Sequence, residues 1–152
     1  MTDQSSISEN DTAVASAAVE PWYKKGLNFK CTECGQCCTG GPGFVWVTEE
    51  EIAAMADLLQ ISVKDFKIKY VRKRGKRQSL NERKSDNFAC VFLKDKKCLV
   101  YKARPEQCRT FPWWKENLES EESWKLAAST CEGIHNEAPV VPYSQIVQFG
   151  KL

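Results

Sequence analysis

The chain has 152 residues, 42% of them hydrophobic and 28% charged, and its 22 Lys and Arg against 20 Asp and Glu leave a formal net charge of +2. That length favours one domain with a modest core, to which eight cysteines offer additional staples. No stretch approaches the ~20 apolar residues that span a bilayer, so a membrane partner is excluded.

Residues 1–20 hold four acids (Asp3, Glu9, Asp11, Glu20) and no Lys or Arg, and past Met1 their one large apolar residue is Ile7. Such a segment has too little apolar surface to fold, and a disordered acidic tail is expected here, with a single domain over residues 21–152. The segment also lacks the basic start and apolar run of a secretory signal and the Arg-rich character of a transit peptide. A cytoplasmic location follows, where thiols stay reduced and clustered cysteines serve metals or catalysis more often than disulfides.

Residues 27–30 suit a short strand leading into Cys31-Thr-Glu-Cys34-Gly-Gln-Cys37-Cys38. Thr39-Gly-Gly-Pro-Gly43 then reads as a loop, and residues 44–47 as a short β-prone run. Thr48 with Glu51 three residues on forms a capping box, and Ile52, Met55, Leu58 and Leu59 recur at helical spacing to about residue 60. Ser62 and Asp65 suit the start of a second helix to about Val71, with Val63, Phe66 and Tyr70 on one face. Residues 72–77 are a basic run broken by Gly75.

Residues 89–93 and 98–101 read as two strands joined by a turn over 94–97. Pro105 fits the first turn of a short helix through Cys108, and Pro112 stops it. Ser120 or Ser123 caps another helix to about Thr130, with Gly133 beyond its end, and a weak helical pattern follows Pro142. The whole predicts an α+β domain of short strands and three or four helices, stapled by metal around one or two cysteine-ligated centres.

The chemistry lies in the cysteines. Two intervening residues let the chain turn back so that both thiolates reach one ion, and the pairs Cys31/Cys34 and Cys34/Cys37 have that spacing. Neighbours on extended backbone point apart, so Cys37 and Cys38 suit two separate centres. Cys90, Cys98, Cys108 and Cys131 bring the total to eight, the number that two four-ligand sites require. Residues 31–37 also match the first three ligands of the bacterial ferredoxin run, but its fourth position is Gly41, followed by Pro42.

These features resemble the YkgJ-like cysteine-cluster family, described as zinc- or iron-chelating. The first motif, CxxCxxCC, is met by Cys31, Cys34, Cys37 and Cys38. The second region is met by Cys90-Val-Phe-Leu, Cys98-Leu-Val-Tyr101, Arg104-Pro105 and Cys108-Arg109-Thr-Phe-Pro112, and Cys131 followed by Gly133 and Ile134 matches the last. The similarity covers about residues 28–135. It implies that all eight cysteines ligate metal, and that Arg104 and Arg109 donate hydrogen bonds to the ligated thiolates or bind an anionic substrate. Flagellin lysine methyltransferases carry a similar cysteine region with iron–sulfur chemistry, which is an association and no more.

Three functions follow as expectations: a protein chelating zinc or iron, an iron–sulfur enzyme of redox or methyl-transfer type, and a zinc-stapled nucleic-acid-binding module. The cofactor is zinc, iron or an iron–sulfur cluster. Residues 64–84 carry ten basic residues and two acids, but the aromatics inside that stretch, Phe66 and Tyr70, fit a buried helix face. Eight thiolates around two divalent ions would also move the net charge from +2 to −2, so basicity speaks weakly for nucleic acid. A protein partner could supply a missing pocket, since no Gly-rich nucleotide loop is present. His135, the single histidine, is not needed as a ligand beside eight cysteines. The five tryptophans suit core packing or shielding of the metal.

Overall fold

The computed structural model describes residues 19–150. The tail expected over residues 1–20 lies, but for its last two residues, outside them. Among the described residues are six α-helices and nine short strands, all paired antiparallel, in the expected α+β class.

Strand β1 (Leu27–Asn28) opens the fold and is followed by a 3₁₀ turn at Gln36–Cys38, inside the cysteine motif. β2 (Trp46–Val47) leads into α1 (Glu49–Leu58), whose start is the expected capping box: Glu51 N donates to the Thr48 hydroxyl, and Thr48 N donates to the Glu51 carboxylate. Ser62 caps α2 (Val63–Tyr70) by accepting from Asp65 N. The basic run then becomes a hairpin, β3 (Val71–Arg74) and β4 (Arg77–Leu80), turning at Gly75, whose φ of 59° favours glycine. β4 is the middle strand of a sheet in the order β2–β4–β3, with Trp46 opposite Ser79 and Arg74 opposite Arg77.

β5 (Glu82–Arg83) pairs with β6 (Ala89–Cys90), and β7 (Leu93–Lys94) pairs with β8 (Lys97–Cys98). The expected strand over 89–93 is thus divided between two hairpins, and residues 101–103 form a 3₁₀ turn. Helices α3 (Glu106–Arg109), α4 (Lys115–Leu118) and α5 (Glu121–Thr130) follow, the last capped by Ser120. β9 (Val140–Val141) pairs with β1, and α6 (Tyr143–Phe149) ends the described chain.

Two small cores result. In the first, Ile52, Met55, Ala56 and Phe66 from α1 and α2 pack against Val47, Leu80, Phe92 and Val100. The buried stripe of α1 is therefore Ile52, Met55 and Ala56, while Leu58, expected inside, is 40% exposed. In the second core, Trp113 stacks on Trp124 with ring centres 5.3 Å apart, and Ala127, Ile134 and Ile146 close around them. The β1–β9 pairing and a hydrogen bond from Lys30 N to Gly133 O tie the residues before Cys31 to those after Cys131.

Candidate metal centre

The eight cysteines are presented by six pieces of chain. Cys31 and Cys34 sit on the loop after β1, Cys37 and Cys38 on the 3₁₀ turn, Cys90 ends β6, and Cys98 ends β8. Cys108 lies in α3, and Cys131 is the residue that ends α5. All eight line one cavity of about 140 Å³. Leu80, Phe92 and Val100 of the first core form part of its wall, and Phe29, Phe111 and Cys131, from the second, form another part. The thiols ring this space without touching as a set: among the described residues, no three or more His, Cys, Asp or Glu side chains converge to ligating distance.

The thiols nonetheless feel one another. Cys38 donates to Cys37, which holds Cys37 down at about 7, and the same bond pushes Cys38 up. Burial raises Cys108 to about 12, with the neighbouring Cys90, Cys37 and Cys98 adding to the rise. Burial likewise raises Cys90, Cys98 and Cys131, and Cys131 is raised further by Cys34 and Cys37. Several thiolates in one apolar cavity repel each other and lose hydration, so they ionise together only beside a cation. The donor set fits a soft ion: eight sulfurs, one carboxylate (Glu33) on the wall and no imidazole.

Arg104 and Arg109 both line the cavity, yet neither donates to a thiol among the described residues. Arg104 instead stacks its guanidinium 3.8 Å from the centre of the Tyr101 ring and donates to the Tyr101 carbonyl. Its charge acts at longer range, favouring the thiolates of Cys37, Cys98 and Cys108. His135 is exposed and lies outside the cavity. Trp113 and Trp124 belong to the second core, not to the cavity wall.

Two contributors escaped the sequence reading. Tyr101, noted only as a motif residue, donates its hydroxyl to the Cys31 sulfur at 3.7 Å. Arg83 donates to the carbonyls of Cys90, Val91 and Leu93 at 2.7–3.1 Å and so pins the loop that carries Cys90. Tyr101 was findable from its place in the second motif. Arg83, at the end of a basic stretch, carried no signal.

The CxxCxxCC family model, described as "Putative zinc- or iron-chelating domain", matches residues 30–132, a span that encloses all eight cysteines. The chain belongs to this family. It is also 34% identical over 93 residues to an uncharacterized protein of Methanocaldococcus jannaschii, an alignment covering 60% of this chain and 48% of that protein. The chain thus spans about half the length of that relative's matched protein. No solved structure matches it. The late cysteines are widely spaced because they come from β6, β8, α3 and the residue that follows α5, none of which forms a motif alone.

Proposed function

We propose that the protein chelates zinc or iron through its eight cysteines, and that the ions lie in the cavity those cysteines line. The observation that carries this reading is the shared cavity, to which six separate pieces of chain bring thiols and almost no other ligand chemistry. Cys37 stands at the middle of the thiols: it accepts from Cys38 on the same 3₁₀ turn and raises Cys90, Cys98, Cys108 and Cys131. The mutual influence therefore supports one coupled group rather than two separate sets.

A closed four-thiolate zinc site leaves no open position and supplies structure rather than reaction. The cavity's continuity across all eight sulfurs favours an iron–sulfur cluster as the second reading, because a cluster is larger than a single ion. A reducing cytoplasmic setting would suit both, since both need free thiols.

Purification without oxygen, followed by metal analysis, acid-labile sulfide assay and a visible spectrum, tests the proposal. Zinc near two per chain with no visible band supports the structural centres. Iron with sulfide and a brown colour supports the cluster. A reduced, folded chain that takes up neither metal sinks both. Cys131→Ser and Cys108→Ser should each lower the metal content, because both thiols line the shared cavity.

A further inference from the structure

The three-stranded sheet has two unlike faces. Opposed residues on antiparallel strands share a face, so Val45, Val47, Leu80 and Val71 point into the first core. The other face carries Phe44, Trp46, Arg72, Arg74 and Arg77, of which Arg74 and Arg77 are exposed, and Trp46 and Arg77 border a cleft whose far side holds Glu51, Glu106 and Glu116. Phe44 and Trp46 stack with ring centres 4.7 Å apart and planes only 7° from parallel. The Arg77 guanidinium lies 3.7 Å from the Trp46 ring centre, and those of Arg72 and Arg74 lie 4.7 and 5.8 Å from the Phe44 ring centre.

The cations on this face are not equivalent. Arg72 is occupied: it pairs with Glu82 at 3.1 Å and donates to the Gly43 carbonyl. Arg74, Lys76 and Arg77 have no carboxylate partner among the described residues. Arg72 therefore acts as a strut beneath a set of unneutralised charges. Residues 44–46 and 72–77 are separated in sequence, so the aromatics that the basic run lacks on its own are supplied by a neighbouring strand.

We propose that this face binds single-stranded nucleic acid, with phosphates on Arg74, Lys76 and Arg77 and bases against the Phe44–Trp46 pair. The Phe44–Trp46 stack is capped by Arg77 at its Trp46 end and by Arg72 and Arg74 at its Phe44 end, so a base rests on a ring-backed guanidinium plane beside unpaired cations for the phosphates. Guanidiniums lying over the rings keep their outward N–H groups for phosphate oxygens while extending the flat surface on which a base can rest. An acidic protein segment would use the N–H edges of the cations but leave the ring-backed guanidinium planes idle, and a duplex would present no unstacked base to them.

The test titrates the full-length, metal-loaded protein into a fluorescently labelled oligouridylate and follows anisotropy at several salt concentrations. Binding should weaken with salt at a log–log slope of about −0.7 per phosphate neutralised. Arg74→Ala with Arg77→Ala should weaken it at least about tenfold and flatten the slope by about 1.4. Phe44→Ala should weaken it about tenfold with the slope unchanged, the mark of a lost stack rather than a lost charge. Lys94→Ala with Lys97→Ala, which removes equal charge from the β7–β8 hairpin, should change little. Unchanged metal content and melting temperature in each variant would show that the fold is kept. No binding at low salt overturns the proposal, as does equal weakening by the Lys94/Lys97 pair. Binding that needs Arg74 and Arg77 but ignores Phe44→Ala, with polyglutamate competing equally well, also overturns it and assigns the face to an acidic protein.

Discussion

Tyr101 sets its hydroxyl 3.7 Å from the sulfur of Cys31, an exposed cysteine. Burial raises the phenol, and the bond to Cys31 raises it further, so it stays protonated and available as a donor. A donor to a thiolate is worth more than one to a thiol. Tyr101→Phe should therefore weaken metal retention about three- to tenfold in a chelator competition, while the melting temperature of the metal-free chain stays the same. Gly133 has a different role. A Cβ there would run into the backbone oxygen of Lys30 and stand 3.1 Å from the Phe29 ring. Neither neighbour is the free end of a flexible side chain, so Gly133→Ala should cost about 1–3 kcal/mol in urea unfolding. It should also lower metal content, because the Lys30–Gly133 hydrogen bond, with that from Thr32 to Glu132, holds the Cys131 turn beside the Cys31 loop. A variant of native stability and full metal content would refute that link. The role of Gly133 was legible only as a helix stop, since the close approach is made by residues a hundred positions earlier. The early cysteines, by contrast, declared themselves through spacing alone.

Among the elements, α1 does more than fill the first core. Glu51 completes the cap by accepting from Thr48 N, and its other carboxylate oxygen accepts from Glu106 N at the start of α3, the helix that carries Cys108. Thr48→Ala should cost about 1 kcal/mol, the usual value of a lost cap. Glu51→Ala should cost about 2 kcal/mol, because both bonds go. Glu51→Gln should fall between, an amide having one acceptor oxygen where the carboxylate has two. Urea midpoints measure all three, and an equal cost for Thr48→Ala and Glu51→Ala would show that the α3 bond carries nothing. Glu49, next in the cap, links α1 to α2 through Lys67 and to β4 through Gln78. The Lys67 bond, then the Gln78 bond, hold its carboxyl below the ordinary value. A depressed carboxyl stabilises the fold above its unfolded pKa, and that contribution is lost as pH falls through the folded value. Glu49→Gln should therefore narrow its stability gap from the parent as the buffer is acidified below about pH 4, the ordinary carboxylate range. The caps of α1, α2 and α5 were legible because capping is local chemistry. The β3–β4 hairpin was not. Its strands are mostly Arg, Lys, Gln and Ser; β4 becomes a strand by pairing with Trp46 and Val47 on β2, and β3 by pairing with β4, a tertiary fact that overrides weak β propensity. Leu58 misled for a related reason: Ala56 is small enough to pack inside, and the helix turned that flank to the core.

At the scale of the molecule, the cysteine cavity lies where the two cores meet. Cys90 and Cys98 pack against the first core and Cys131 belongs to the second. Each core is small, with eight buried residues in the first and seven in the second, and small cores benefit from staples. Ions bound by thiolates from both sides would fasten them together, so metal binding and folding would be one event. The tryptophans make this observable. Trp22, Trp113 and Trp124 pack in the second core, and a Trp46→Phe background removes the indole carried by the sheet of the first. With metal bound, urea unfolding followed by tryptophan fluorescence and by far-ultraviolet circular dichroism should give one coincident transition. After metal removal under reducing conditions the two signals should separate, fluorescence changing at lower urea, because the second core depends on Cys131 and the β1–β9 pair for its attachment. Acidification should produce the same separation. The thiols of Cys38, Cys90, Cys98, Cys108 and Cys131 are all raised, so each must lose a proton that it holds tightly before it can ligate, and lowering the pH drives the equilibrium toward the protonated, unligated chain. Coincident transitions in the metal-free protein would mean that side-chain packing alone joins the cores, and that the cavity holds its ions without holding the fold together.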